Sequence, residues 1–89
     1  MNVLIQKGLV DREFVEGRTE GFDELAAMVA DYTPERVAEI CGIDARDLEA
    51  AAEMYATAER APIVYCLGVV EHSMGTEGVL AISTLAMAG

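Results

Sequence analysis

The sequence predicts an α/β fold that is mostly helical, with several short amphipathic helices and one buried strand of the kind found in a parallel sheet. Three observations predict it. Apolar residues recur at three- and four-residue spacing through most of the chain, as in helices that bury one face. Three segments open with the same capping pattern. The run Ile63-Val64-Tyr65-Cys66-Leu67, opened by Pro62 and closed by Gly68, is apolar at every position, as a strand covered on both faces would be.

The elements follow in order. Met1 to Lys7 is apolar at Val3, Leu4 and Ile5, and Gly8 suits the residue just past a helix end. Three helix starts then share one grammar: an apolar residue, a cap, and a second apolar residue four places after the cap. Val10-Asp11 with Val15, Tyr32-Thr33 with Val37, and Ile43-Asp44 with Leu48 each combine a side-chain cap with a hydrophobic staple. Pro34, directly after Thr33, brings a pre-set φ to a position that needs no N–H donor. Phe22, Leu25, Ala26 and Val29 stripe a helix over 21–31, and Val37, Ile40 and Cys41 a short one that Gly42 ends. Leu48, Ala51, Ala52 and Tyr55 stripe the longest, Ala45 to Ala58. The reading is thus helical over 1–58, strand over 61–68, loop over 69–75 and helix over 76–89.

A single strand makes no sheet, and the last helix, from Val79 to Met87, is apolar nearly all round. The apolar faces of Val3 to Val10 and Val79 to Met87 exceed what so short a chain can cover. The 89 residues therefore read as one segment of a larger α/β domain, prone to self-association when isolated.

Composition narrows the partners. Sixteen acidic residues against six basic ones give a net charge of -10, which argues against nucleic acid and against an anionic membrane surface. No apolar run approaches the roughly 18 residues that span a bilayer, and the start lacks a secretory leader's cationic region. A cytoplasmic location is expected, with Cys41 and Cys66 as reduced, buried thiols. The carboxylates fall mostly at caps and on polar helix faces, where solvated surface is their expected role.

Candidate chemistry collects after the strand. A strand, a glycine-containing loop and a helix start in succession present backbone N–H groups where ligands bind in open α/β sheets. Gly68, Gly75 and Gly78 do not match the dinucleotide fingerprint, and glycine at 68 and 75 can simply permit a tight turn. His72, the only histidine, has just Glu71 and Cys66 nearby as further donors, too few for a tetrahedral metal site. Ser73 lacks the Gly-x-Ser-x-Gly context of a nucleophile. No catalytic and no metal-ligating residue is therefore assigned. The backbone around Gly68 and Gly75, with Glu71 and His72, is the candidate binding loop.

Several of these stretches, in register, resemble the molybdopterin-dependent oxidoreductases, most closely the catalytic alpha subunit of formate dehydrogenase. They are Gly8-Leu9-Val10-Asp11-Arg12-Glu13-Phe14-Val15, the segment Tyr32-Thr33-Pro34-Glu35 through Gly42-Ile43, Ala51-Ala52-Glu53-Met54-Tyr55, and Leu67-Gly68-Val69-Val70-Glu71-His72-Ser73-Met74-Gly75. The last is similar to a family loop written Gly-Met-Gly-Ile-Thr-Gln-His-x-x-Gly. The resemblance implies a Rossmann-like parallel sheet in a domain that holds a molybdopterin guanine dinucleotide. Leu67, Gly68, Glu71 and His72 would contact that cofactor. It implies a parent enzyme that oxidises formate to CO2 with molybdenum or tungsten and a 4Fe-4S cluster, whose ligands lie outside these 89 residues. This chain alone would then hold neither metal nor cluster, and its partners would be the remaining domains of the catalytic subunit. The sequence departs from the family loop at Cys66, Val70 and Glu71, where glycine, threonine and glutamine are usual. Two other readings of the same residues are a stand-alone acidic helical interaction module and a phosphopantetheine carrier, the latter without the Asp-Ser-Leu context around Ser73.

Overall fold

Helices make up all of the regular structure. The computed structural model describes residues 1–89 and contains α1 (Asn2–Gln6), α2 (Arg12–Arg18), α3 (Phe22–Val29), α4 (Pro34–Cys41), α5 (Ala45–Thr57), α6 (Leu67–Val70) and α7 (Gly75–Ala88).

The caps explain where the helices begin. The Asp11 carboxylate accepts from the Phe14 N–H at 3.0 Å, Thr33 Oγ1 from the Arg36 N–H at 3.3 Å, and the Asp44 carboxylate from the Arg46 N–H at 2.8 Å. Each satisfies a first-turn donor that has no partner inside its helix. At the other end of α1, Gly8 adopts φ 66°. That left-handed turn lets the Gly8 N–H reach the Ile5 carbonyl at 3.2 Å and the Leu9 N–H reach the Leu4 carbonyl at 2.8 Å, a Schellman closure.

The core is built around α1. Leu4 is fully buried and packs with Val10, Val15 and Ala88, while Ile5, Phe22, Ala52, Ala56 and Leu85 cover the cluster. α1 lies against α5 and α3, and α2 lies against α7. Ala52 and Ala56 stand one turn apart on α5, and their small side chains permit the close approach of α1. Three polar contacts pin the same arrangement. Asn2 Nδ2, buried, donates to the carbonyls of Val29 at 2.9 Å and Ala30 at 3.2 Å, which satisfies the end of α3. The Asp11 N–H donates to the Ala88 carbonyl at 2.9 Å and closes the chain's end onto the start of α2. Lys7 spans two residues one turn apart on α5, pairing with Glu53 and with Glu49 at 3.2 Å.

Several expectations are corrected. The fold class is helical rather than α/β, and the buried strand over 61–68 does not exist. Residues 61–66 carry no regular structure, and none of the backbone hydrogen bonds outside the helices involves 61–65. Val64 is 92% exposed, so the run is not covered on two faces. The reason is that a strand needs a neighbouring strand for its N–H and C=O groups, and this chain offers none. An apolar run of this length carries no periodicity that separates strand from helix, and its last residue enters α6 instead.

The two thiols, expected to be buried, are both exposed and free. Val3, Leu4 and Val10, expected to lack partners, are the most enclosed apolar side chains together with Val15 and Ala88, because α1 is gripped between α3 and α5. Exposed apolar side chains include Met28, Ile40, Met54, Val64, Leu67, Val70 and Met74, together with Leu80 and Met87 on the Val79 to Met87 face that was expected to lack cover.

Candidate functional site

The segment that links α5 to α7 holds every candidate residue. Past Pro62 the chain runs without regular structure to Cys66, whose carbonyl accepts from the N–H groups of Val69 at 3.0 Å and Val70 at 3.4 Å. This winds Leu67–Val70 into the single turn of α6, which the Glu71 N–H closes onto the Leu67 carbonyl at 2.9 Å. Glu71 to Met74 then reverse the chain, and the Gly75 N–H bonds the His72 carbonyl at 3.0 Å as α7 begins.

α6 folds back onto the first turn of α7, and glycine makes this possible at two places. A Cβ on Gly75 would overlap the Val70 carbonyl oxygen and come within 2.9 Å of its carbon. A Cβ on Gly78 would lie 3.2 Å from Val69 Cγ1. These two glycines, three residues apart on one helix face, form the notch that receives α6. Sequence reasoning placed Gly75 in the candidate binding loop, with a tight turn as its other reading, and named Gly78 only in a spacing that fails the dinucleotide fingerprint; the Gly-x-x-Gly spacing inside a helix was the available signal.

Gly68 is different. Its φ is not in the left-handed region, and no atom lies within 4 Å of where a Cβ would sit. Neither the turn nor the packing of this chain demands glycine there. The four predicted contact residues are nonetheless brought together on one exposed surface. Leu67 is 59% exposed, Gly68, Glu71 and His72 are exposed, and His72 Nε2 lies 2.7 Å from the Gly68 carbonyl oxygen. The chain's ion pairs, Lys7 with Glu49 and Glu53 and Arg46 with Asp44, leave Glu71 out. The loop therefore presents the Glu71 carboxylate, the His72 imidazole and an open approach to the Gly68 backbone. No group of three or more His, Cys, Asp or Glu side chains is arranged to hold a metal ion. Cys66 and Ser73 flank the loop, both exposed.

No family model matches the chain. Individual relatives do. Over 97% of its length the chain is 49% identical to the F420-dependent formate dehydrogenase 2 subunit alpha of Methanococcus maripaludis. The F420-dependent formate dehydrogenase subunit alpha of Methanocaldococcus jannaschii is 44% identical over 98% of the chain. The chain belongs to the formate dehydrogenase alpha-subunit family, among the molybdopterin oxidoreductases. Formate dehydrogenase H of Escherichia coli agrees, at 43% identity over 97% of the chain. The chain spans 12% of the length of that relative and 13% of each of the two archaeal ones. As a formate dehydrogenase-family segment it comprises a helical cluster, α1 to α5, and a helix-loop-helix unit, α6 to α7, joined through Ala88 and the start of α2. No helix of the segment is long and apolar enough to cross a membrane.

Proposed function

We propose that this chain serves a cytoplasmic formate dehydrogenase as part of the catalytic subunit's cofactor-holding domain. The parent enzyme would oxidise formate to CO2 using a molybdopterin guanine dinucleotide that carries molybdenum or tungsten, with a 4Fe-4S cluster. The observation that carries the reading is the 49% identity to a formate dehydrogenase alpha subunit over 97% of the chain. The remaining domains of the subunit would be its partners. Metal and cluster would be held outside this segment, whose own contribution is the loop from Leu67 to His72.

The residues present fit a nucleotide. Gly68 is a glycine that the fold does not require, and its open side admits a ligand close to the backbone. Glu71 selects which part of the ligand approaches. A carboxylate repels a pyrophosphate but accepts hydrogen bonds from ribose hydroxyls or from the N–H edge of guanine. Leu67, Gly68, Glu71 and His72 would accordingly lie along the guanosine end of the dinucleotide.

Nucleotide and metal content of the purified full-length enzyme test the reading. Gly68→Val should lower cofactor occupancy, while Glu59→Gln, outside the loop, should leave it at the wild-type level. Glu71→Ala should weaken retention by about 1.5–3 kcal/mol, the range for a hydrogen bond to a charged group, and Glu71→Gln by less. Unchanged cofactor content and turnover in both Gly68→Val and Glu71→Ala would remove the loop from the cofactor.

A further inference from the structure

Of the four loop residues, His72 has a role that the chain itself displays. We infer that His72 is a positioning residue, whose Nε2–H donates to the Gly68 carbonyl and thereby holds α6 and the reversing turn in one shape. This deepens the proposed cofactor contact, on which its relevance to a ligand rests. The distance is 2.7 Å, and the two residues stand four apart across the end of α6.

The bond answers a structural need. α6 is a single turn of four residues, LGVV, with two β-branched side chains and no side-chain cap at its start. So short a helix has little stability of its own, and its terminal carbonyls have no partners inside it. The Leu67 carbonyl is taken by the Glu71 N–H, and the next one, Gly68, is taken by the imidazole. The ring thus supplies the donor that a continuing helix would have supplied. The same bond fixes one proton of the ring, on Nε2, because a carbonyl oxygen can only accept.

Two substitutions separate the ring's nitrogens. Glutamine places an N–H where His Nε2 lies, and asparagine places one near Nδ1. In the isotopically labelled 89-residue chain, NMR reads the Gly68 carbonyl carbon shift and the exchange rate of the Glu71 amide. His72→Ala and His72→Asn should move the carbonyl shift and speed Glu71 exchange by roughly two- to tenfold, the range of one net hydrogen bond. His72→Gln should restore both, and Ser73→Ala should change neither. Glutamine no better than asparagine, or no effect of alanine, overturns the inference. In the full-length enzyme, cofactor content should follow the same order, with glutamine above asparagine and alanine. Content preserved by asparagine but not by glutamine would assign the ring a direct contact through Nδ1 and overturn positioning. If the chain shows the expected order while Gly68→Val and His72→Ala both leave cofactor content unchanged, the dinucleotide reading fails, and His72's role toward a ligand fails with it.

Discussion

Gly75 and Val70 approach so closely that the first has no room for a side chain: a Cβ on Gly75 would come within 2.9 Å of the Val70 carbonyl carbon and overlap its oxygen. The obstacle is backbone, which cannot rotate aside as a side-chain tip can. Gly75→Ala should therefore destabilise the chain by about 1–3 kcal/mol, the usual cost of overpacking. Gly68→Ala meets no neighbour and should fold as the parent does, a few tenths of a kcal/mol either way. Urea unfolding of both variants checks the contrast. Equal midpoints for the two would mean that α6 does not rest on α7.

Leu4 is the one large side chain with no exposed surface, and the other buried apolar residues gather around it. Leu4→Ala should cost about 2–5 kcal/mol. Against a total stability of about 5–15 kcal/mol for a small domain, that loss should leave α1 and α5 poorly packed. Far-ultraviolet circular dichroism during thermal melting reads the effect. Leu80→Ala, at a position 60% exposed, should melt near the parent.

The cap at Asp11 predicts a smaller loss. Its carboxylate accepts from the Phe14 N–H, and the same residue's backbone N–H holds Ala88. Asp11→Ala should cost about 1 kcal/mol by removing the first contact while keeping the second. Asp11→Asn should retain most of the stability. If alanine and asparagine behaved alike, the cap would contribute nothing.

Asp44 and Lys7 each contribute to the pH response. Asp44 is held below the ordinary carboxylate range by the Arg46 side chain and then by the Arg46 backbone N–H. A depressed folded-state value means that its stabilisation is present above the unfolded value, about 3.9, and is lost as pH falls through the folded one. Lys7 is raised by its hydrogen bonds to Glu53 and Glu49, so its stabilisation is present below the unfolded value, about 10.4, and is lost as pH rises through the folded one. Asp44→Asn should flatten the acid limb of a denaturation-midpoint profile, and Lys7→Met the alkaline limb. A profile that kept its full acid slope in Asp44→Asn would assign that slope to other carboxylates.

The exposed apolar residues Met54, Leu67, Val70, Met74, Leu80 and Met87 predict association of the isolated chain. The net charge of -10 opposes it, and salt screens that repulsion. Sedimentation should show larger species as salt rises, with binding of a hydrophobic dye. Leu80→Lys should weaken both. A monomer that binds no dye at any salt would show that these side chains are individually tolerated surface.

Local chemistry was legible in the sequence wherever the interacting residues are neighbours along it. Asp11, Thr33 and Asp44 cap helices within three residues of themselves, and the left-handed turns at Gly8 and Gly42 end α1 and α4. The family was legible too, because four stretches in register are a one-dimensional fact. The positions of Leu67, Gly68, Glu71 and His72 on one loop follow from their adjacency. Their exposure and the His72–Gly68 bond do not.

Tertiary structure alone decided the rest. Ile63 to Leu67 has a composition that suits a strand, yet a strand exists only when a second chain segment accepts its hydrogen bonds, and pairing is a property of space rather than of the run itself. Val3 and Leu4 became the core because α3 and α5 close over them, whereas the equally apolar Leu80 met no partner. Gly75 was legible as a glycine but not as a contact, since the reason for it is the Val70 carbonyl brought back by the turn between them. Short-range hydrogen bonds and backbone dihedrals are written into consecutive residues. Burial is written only into the arrangement, because covering an apolar side chain takes a second surface that the sequence around it does not name.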